Sequence, residues 1–144
     1  MKSFEYSVEI EAPPDKVWKV LTDVEKWAEW TSSIDQIESL DSGPLQIGAR
    51  YRIRQPKLST NIYQVMTLEP GKEFSWLARA MGLEILGEHR MEALSGSNKV
   101  KVRNTLSLKG FLAPLVGCFY SNLTRRYVEM EVHGLRRRCE EIKK

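Results

Sequence analysis

Two polar side chains stand out among the apolar positions of the predicted β-strands. His89 and Asn104 occupy positions in their segments that otherwise carry apolar residues such as Met91 and Val102. Buried polar groups need hydrogen-bond partners, and two such residues on neighbouring strands can serve each other. Two interpretations stay open: a satisfied pair within the core, or a pair at a pocket wall that orients a bound molecule. By geometry His89 can also act as a general base.

Other candidates for chemistry are few. A tyrosine such as Tyr63 or Tyr127 can move a proton, and Glu131 can direct a carboxylate inward from the C-terminal segment. Because buried carboxylates are rare unless paired, a rim or surface position for Glu131 is the favoured alternative. The chain has no glycine-rich phosphate loop between a strand and a helix. It also has no Gly-x-Ser-x-Gly nucleophile elbow, so a hydrolase triad is not indicated. The sequence shows no clear acid/base set.

The cysteines and histidines predict neither a disulfide nor a metal site. Cys118 and Cys139 lie 21 positions apart in a segment predicted to be helical, which is about 30 Å along a helix axis and beyond disulfide reach. With only His89 and His133 besides, no cluster has metal-ligand spacing, and we expect no metal and no cofactor. Free thiols are typical of a reducing compartment. Since the N-terminal residues lack the apolar run of a signal peptide, we expect a cytoplasmic location.

The charge balance argues against nucleic acid as a partner. The chain has 22 basic and 19 acidic residues and a net charge of +3, which is too small an excess to indicate nucleic-acid binding. The basic strip formed by Arg50, Arg52, Arg54 and Lys57 is interpreted as a solvated strand face, and Arg136, Arg137 and Arg138 as the cationic end of a helix. Phe111 and Leu112 lie beside basic positions, which favours at most a peripheral membrane contact.

The elements that must position these residues follow from the hydrophobic period. Strict alternation predicts a strand over 4–10, and helical spacing then predicts two short helices, the second capped by Asp23. Period-two segments joined by turns predict strands over 34–40, 49–55, 60–68, 74–80, 83–94 and 99–109. Residues 111–144 are predicted to form a long helix. The fold class is therefore α+β: a curved antiparallel sheet of about seven strands around a long C-terminal helix, in one domain over 1–144.

Several short motifs, each present once, follow one another in a characteristic order along nearly the whole chain. They are Ile10-Glu11-Ala12-Pro13, Val17-Trp18, Leu21-Thr22-Asp23, Trp30, Gly48-Ala49-Arg50, Leu68-Glu69-Pro70-Gly71 with Phe74 and Trp76, Glu88-His89-Arg90-Met91, and Leu108-Lys109-Gly110. Their order and spacing resemble the START-like (SRPBCC) superfamily with the helix-grip fold, in its polyketide cyclase/dehydrase-like branch. The resemblance implies a cavity between sheet and helix. It does not select among lipid and sterol carriers, hormone receptors, aromatase/cyclases, ubiquinone-binding proteins and co-chaperones.

Strand parity assigns the walls of that cavity. A two-residue turn at Met81-Gly82 places Trp76 opposite Gly87, and closing Leu94 on Lys99 places His89 opposite Asn104. Because the opposite face is charged, these residues are predicted to face inward. The predicted ligand-binding residues are Phe74, Trp76, His89, Met91, Val102, Asn104, Tyr51, Tyr63, Phe119, Leu123 and Tyr127.

The inward face of the strand over 60–68 stays open, since Tyr63 and Val65 compete with Ile62, Met66 and Leu68. One face of this strand can be a mixed surface or a contact with a second subunit. Both a monomer and a homodimer are therefore compatible with the sequence.

The C-terminal segment carries two apolar stripes that one straight helix cannot bury on one surface. The first contains Leu112, Val116, Phe119, Leu123, Tyr127 and Met130, and the second contains Val128, Val132, Leu135, Cys139 and Ile142. At about 100° per residue, the stripes differ by more than a right angle. We therefore predict a break between 116 and 120 with Gly117 as the hinge, so that the first turns cover the cavity mouth.

Three functions are compatible with this sequence. The first is binding of a small hydrophobic molecule that is lipid-, isoprenoid- or polyketide-like, which needs only the cavity. The second is an aromatase/cyclase- or dehydratase-type enzyme acting on such a molecule. The third is a co-chaperone-like interaction module, which needs an exposed apolar patch.

Overall fold

The computed structural model describes residues 2–141. Its elements are β1 (Lys2–Ile10), α1 (Pro14–Thr22), a 3-10 helix η1 (Val24–Glu29), β2 (Gln36–Ser39), β3 (Arg50–Arg54), β4 (Asn61–Glu69), β5 (Glu73–Ala80), β6 (Leu83–Leu94), β7 (Lys99–Lys109) and α2 (Ala113–Glu140). The strands form one antiparallel sheet in the order β1-β7-β6-β5-β4-β3-β2. The predicted α+β fold, with two short helices before β2 and a long helix after β7, is confirmed. Asp23 is the N-cap residue of η1, as predicted, but its side chain makes no capping hydrogen bond.

Because the strands are antiparallel, successive connections lie alternately at one end of the sheet and at the other. One end, called the open end here, carries the β3–β4 connection (55–60), the β5–β6 turn (81–82) and the β7–α2 connection (110–112). The closed end carries the turns at 70–72 and 95–98, with α1 and η1 following the end of β1. Helix α2 packs against β1, β7 and α1.

The predicted registers of the two central hairpins are confirmed. Trp76 pairs with Gly87 across β5 and β6, and His89 pairs with Asn104 across β6 and β7. A Cβ atom at position 87 would lie 3.0 Å from the indole Nε1 of Trp76, so the absent side chain makes room for this ring.

A β-bulge resolves the ambiguity in β4. The register shifts between Val65 and Thr67, which adds one residue to the strand and inverts its parity. Tyr63 and Val65 are buried before the bulge, and Leu68 pairs with the inward-facing Phe74 after it. Met66, the residue at the bulge, is exposed. The bulge therefore accounts for the inward position of Leu68, whereas Ile62 is an exposed apolar residue on the outer face.

The predicted break near Gly117 is wrong, because α2 is one continuous helix from Ala113 to Glu140. Its buried side in the first turns consists of the small residues Ala113, Gly117 and Thr124, while Phe119 is 74% exposed. The stripe was assigned from large apolar side chains, but the helix approaches the sheet through its small ones. Ile142, predicted in the second stripe, lies outside the described residues.

Close backbone approaches fix α2 at both ends. A Cβ atom at Gly134 would overlap the carbonyl oxygen of Trp30 at the end of η1. At the open end, the Leu112 amide donates a hydrogen bond to the Gly82 carbonyl at 2.8 Å. Gly82 and Gly110 have φ values of 72° and 111°, which glycine adopts without strain.

None of the helices within residues 2–141 is both long enough and apolar enough to cross a membrane.

Candidate functional site

A cavity of about 290 Å³ lies between the inner face of the sheet and helix α2. Its walls are mostly apolar and aromatic: Trp27, Ile34, Ile53, Tyr63, Trp76, Leu83, Ile85, Leu106, Leu108, Val116, Tyr120, Tyr127 and Val128. The exposed members of the lining, Lys57, Ser59, Ala80 and Tyr120, all lie toward the open end. The cavity therefore reaches the surface there. Its volume is at the lower end of the range, roughly 300 to 1,000 Å³, of small-molecule pockets.

An aromatic cluster closes the cavity on the side of η1. The Trp27 ring lies 5.3 Å from the rings of both Trp76 and His89. His89 stacks on Phe74 with ring centroids 4.4 Å apart and an interplanar angle of 18°. Tyr63 packs against Trp76 with ring centroids 5.6 Å apart. These contacts hold the His89 ring in one orientation, which gives the site a preformed polar group in an apolar wall.

The polar centre of the cavity is the carboxylate of Glu131. The Asn104 side-chain amide donates a hydrogen bond to Glu131 Oε1 at 2.5 Å, and His89 Nε2 lies 3.3 Å from the same oxygen. The expectation that His89 and Asn104 would bond each other is wrong, because α2 supplies a carboxylate between them. The Glu131 side chain is 17% exposed and lines the cavity, so the favoured rim or surface position is also corrected.

Three polar atoms at this centre lack a protein partner within residues 2–141. His89 Nδ1 and Asn104 Oδ1 are buried without a hydrogen bond. Glu131 Oε2 has neither a hydrogen bond nor an ion pair, since both contacts of the carboxylate use Oε1. Unlike the other two atoms, Oε2 is not sealed from the cavity. It is the acceptor that a bound molecule can reach.

Two tyrosines flank this centre. Burial and the nearby Glu131 carboxylate raise the pKa of Tyr63 well above its usual range. Tyr127 donates its hydroxyl to the carbonyl of Pro56 and thereby ties α2 to the β3–β4 connection. Burial and the charge of Asp35 raise the pKa of Tyr127. Both phenols are therefore held in the protonated form, as hydrogen-bond donors.

The structure brings some of the predicted residues together at the cavity. Trp76, His89, Asn104, Tyr63 and Tyr127 line it. Phe74, Met91 and Val102 instead lie within the main hydrophobic core, which fills the closed end with side chains from α1 and η1. Tyr51 is buried behind Trp76 at a ring distance of 5.9 Å, and burial with the charge of Glu25 raises its pKa.

The two predicted residues from the first helical stripe do not line the cavity. Phe119 faces solvent and Leu123 is only partly buried. Their expected position depended on the break in α2. Without it, Val116, Tyr120 and Thr124 face the cavity instead.

The prediction missed Trp27 and Lys57 as lining residues. Trp27 belongs to the second short helix, and its spacing indicates a buried residue without indicating which surface it meets. Lys57 adopts a φ of 67°, uncommon for a residue with a side chain, within the connection held by Tyr127. A signal for Glu131 was present: its angular position between Tyr127, Val128 and Leu135 places it on the buried side of α2.

Within residues 2–141, no three His, Cys, Asp or Glu side chains are grouped as metal ligands.

The sequence and fold match a known family. The family model described as polyketide cyclase/dehydrase and lipid transport matches residues 1–140. The chain belongs to this family. No curated protein matches the sequence. Membership in the polyketide cyclase/dehydrase and lipid transport family confirms the resemblance seen in the motifs. It is compatible with both hydrophobic-ligand binding and a cyclase role.

Solved structures support the fold. A hypothetical protein from Helicobacter pylori is 17% identical, with a TM-score of 0.84 and coverage of 96% of this chain and 88% of that chain. A START superfamily protein from Mycobacterium smegmatis is 16% identical, with a TM-score of 0.77 and coverage of 96% and 97%. The Zhui aromatase/cyclase from a Streptomyces species is 18% identical, with a TM-score of 0.70 and coverage of 95% and 94%. At these identities the similarity shows the fold alone.

Proposed function

We propose that this protein binds a small, largely apolar molecule that places one hydrogen-bond donor against Glu131. The observation that carries the proposal is the unpartnered Oε2 atom of Glu131 at an otherwise apolar and aromatic cavity wall. Pockets of this kind use apolar area for affinity and a few polar groups for orientation. A hydroxyl or phenol on the ligand supplies the donor that the wall lacks.

The arrangement of the carboxylate supports binding rather than a purely structural role. A carboxylate oxygen that is left without a partner in an apolar wall costs free energy, which a donor on a bound molecule would offset. Here Asn104 and His89 both contact Oε1 of Glu131, and these contacts fix the position of the carboxylate. The remaining oxygen is preorganised for a partner that is not part of residues 2–141, and preorganisation lowers the cost of binding.

The test uses two probes with the same apolar body, 2-naphthol and 2-methoxynaphthalene. We expect 2-naphthol to bind about tenfold more tightly, because a hydrogen bond to a charged acceptor contributes ~1.5 kcal/mol. Fluorescence quenching of Trp27 and Trp76, or calorimetry, measures the two affinities. In Glu131→Gln the preference should fall to about twofold, as expected for a neutral acceptor.

Glu129→Gln is the matched control, since Glu129 lies on the partly exposed side of the same helix near His133. It should leave both affinities unchanged. Equal affinity of the two probes in the unmodified protein would remove Glu131 from the ligand site. Native mass spectrometry of protein purified from cells gives an independent readout of a carried ligand.

A second candidate function is catalysis of a dehydration or cyclisation on the same ligand. It is favoured by the carboxylate with one free oxygen next to His89 and Tyr63, a geometry suited to a general base. In dehydration of a β-hydroxy ketone, Oε2 would take the α-proton and return it to the departing hydroxyl as water forms. A β-hydroxy ketone with a naphthyl group is a suitable substrate. If turnover occurs, Glu131→Gln should lower its rate by about 10²-fold or more. Binding of this compound without turnover would exclude the catalytic function and retain the binding function.

A further inference from the structure

The open end of the sheet carries a continuous group of exposed apolar side chains. Met81 in the β5–β6 turn is 88% exposed, Phe111 is 79% exposed, and Leu115 and Phe119 are 54% and 74% exposed. Leu115 and Phe119 are four residues apart in α2 and therefore share one side of the helix, and Phe111 lies just before the helix begins. We call these four side chains the rim patch. Large exposed apolar patches on a soluble domain mark interaction sites.

The rim patch is held in place by backbone contacts. The ring of Phe111 lies against Gly82, where a Cβ atom would come within 2.7 Å of Cζ. The hydrogen bond from Leu112 to Gly82 joins the two segments directly below. The β5–β6 turn and the start of α2 therefore form one surface and present Met81 and Phe111 side by side.

The charge around the rim patch is positive. Between 106 and 128 the chain contains Lys109, Arg125 and Arg126 and no acidic residue. Within residues 2–141, Lys57, Lys109 and Arg126 have no carboxylate within ion-pair distance. By contrast, six arginines on the outer face of the sheet are each paired with a carboxylate: Arg50, Arg52, Arg54, Arg79, Arg90 and Arg103.

The rim patch adjoins the cavity. Tyr120, the residue after Phe119, is exposed and also lines the cavity. Ala80 and Leu83, which flank Met81 and Gly82, line the cavity as well, and so does Val116 next to Leu115. A molecule that leaves the cavity at the open end therefore crosses the rim patch.

We propose that the rim patch docks on an anionic lipid bilayer, with Met81, Phe111, Leu115 and Phe119 inserted among the lipids and Lys57, Lys109 and Arg126 over their headgroups. Apolar side chains surrounded by cations are the recognised chemistry of interfacial binding. A protein partner would need acidic groups around an apolar centre, whereas an anionic bilayer supplies a negative surface above an apolar interior without further specification. That the cavity ligand is exchanged with this bilayer rests on the proposed function; the docking itself does not.

The experiment is sedimentation of the full chain with phosphatidylcholine vesicles containing no phosphatidylglycerol or a large fraction of it. We expect binding to the anionic vesicles, weakened at least about fivefold without phosphatidylglycerol and weakened by salt. Phe111→Ser with Phe119→Ser should lower the affinity by about tenfold or more, because each buried phenyl ring contributes strongly. Lys109→Glu should weaken binding to the anionic vesicles alone.

The matched control is Ile47→Ser with Met66→Ser, which removes two exposed apolar side chains away from the open end; it should bind vesicles like the unmodified protein. Failure to bind anionic vesicles, or equal binding by the Phe111/Phe119 variant, would overturn the proposal. So would a dimer by light scattering that dissociates in that variant, since the patch would then be covered by a second copy. Affinity for 2-naphthol in solution separates this result from the proposed function, because the rim variant should retain it.

Discussion

The closed and open ends of this molecule use the same helix in opposite ways. At the closed end, α2 buries Val132, Leu135 and Cys139 in the main hydrophobic core together with α1 and η1. At the open end it buries Ala113 and Gly117 and turns Phe119 to solvent. The smaller hydrophobic cluster there contains Phe4, Leu108, Ala113 and Val128. Both clusters contribute to the cavity wall, and Tyr6 and Ile85 pack against both of them. The larger share of buried apolar side chains therefore lies at the closed end, and access to the cavity lies at the open end.

The largest expected difference concerns two phenylalanines. Phe74 is fully buried and stacked on His89, and Phe119 is mostly exposed. Phe74→Ala should lower the free energy of unfolding by about 4 kcal/mol, because it leaves a cavity in a packed core. Phe119→Ala should change it by less than about 0.5 kcal/mol. Urea denaturation monitored by tryptophan fluorescence measures both, and similar losses in the two variants would break the comparison.

A second test uses two glycines of α2. At Gly134 a Cβ atom would overlap the backbone of Trp30, which cannot move freely, whereas at Gly117 it would meet only the flexible stem of Lys2 at 3.2 Å. Gly134→Ala should therefore destabilise the fold by about 2 kcal/mol through overpacking. Gly117→Ala should be neutral or stabilising by up to ~1 kcal/mol, since alanine favours the helix.

Thermal and urea unfolding of the two variants measure the change in stability that each substitution causes. A loss in Gly117→Ala as large as that in Gly134→Ala would show that the open end is packed as tightly as the closed end.

The smallest expected effect is a pH dependence of stability that arises from Tyr63, which lies between the two ends. Because burial and Glu131 raise the pKa of Tyr63, the folded state keeps this phenol protonated at a pH where the unfolded chain, with a tyrosine pKa of about 10, has lost the proton. Its stabilising contribution is complete below pH 10 and is lost as the pH rises toward the folded pKa. Over that range Tyr63 should lower the free energy of unfolding by about 1.4 kcal/mol per pH unit.

Urea denaturation between pH 9 and 11 measures this slope. Tyr63→Phe should make it shallower by about the contribution of one group. An unchanged slope in the variant would mean that the Tyr63 hydroxyl is open to water on the cavity side.

Much of the sheet was predictable because its signals are local. Strand period and turn length set the register that pairs His89 with Asn104 and Trp76 with Gly87. The bulge in β4 was not predictable, since an extra residue in a strand with apolar side chains on both faces leaves no local mark. Which face of the sheet Leu68 occupies could therefore be determined only from the structure.

The candidate site was predictable only in part. Five of the residues proposed for it do line the cavity, all from β4 to β7 or the middle of α2. Phe119 was misplaced because large apolar side chains were taken to mark the buried side of the helix. Where two elements approach closely, the buried side carries small residues such as Ala113 and Gly117, and a hydrophobicity pattern gives these little weight.

The sequence by itself determined the fold class, the order of the elements, the inner face of the central hairpins and the family. These follow from periodicity, turns and motifs, which depend on neighbours in the chain. Only the tertiary structure decided that Glu131 reaches between His89 and Asn104 and that α2 runs unbroken past the cavity. Both depend on how closely a helix can approach a sheet that precedes it in the chain, and that distance is set by side chains from both elements at once.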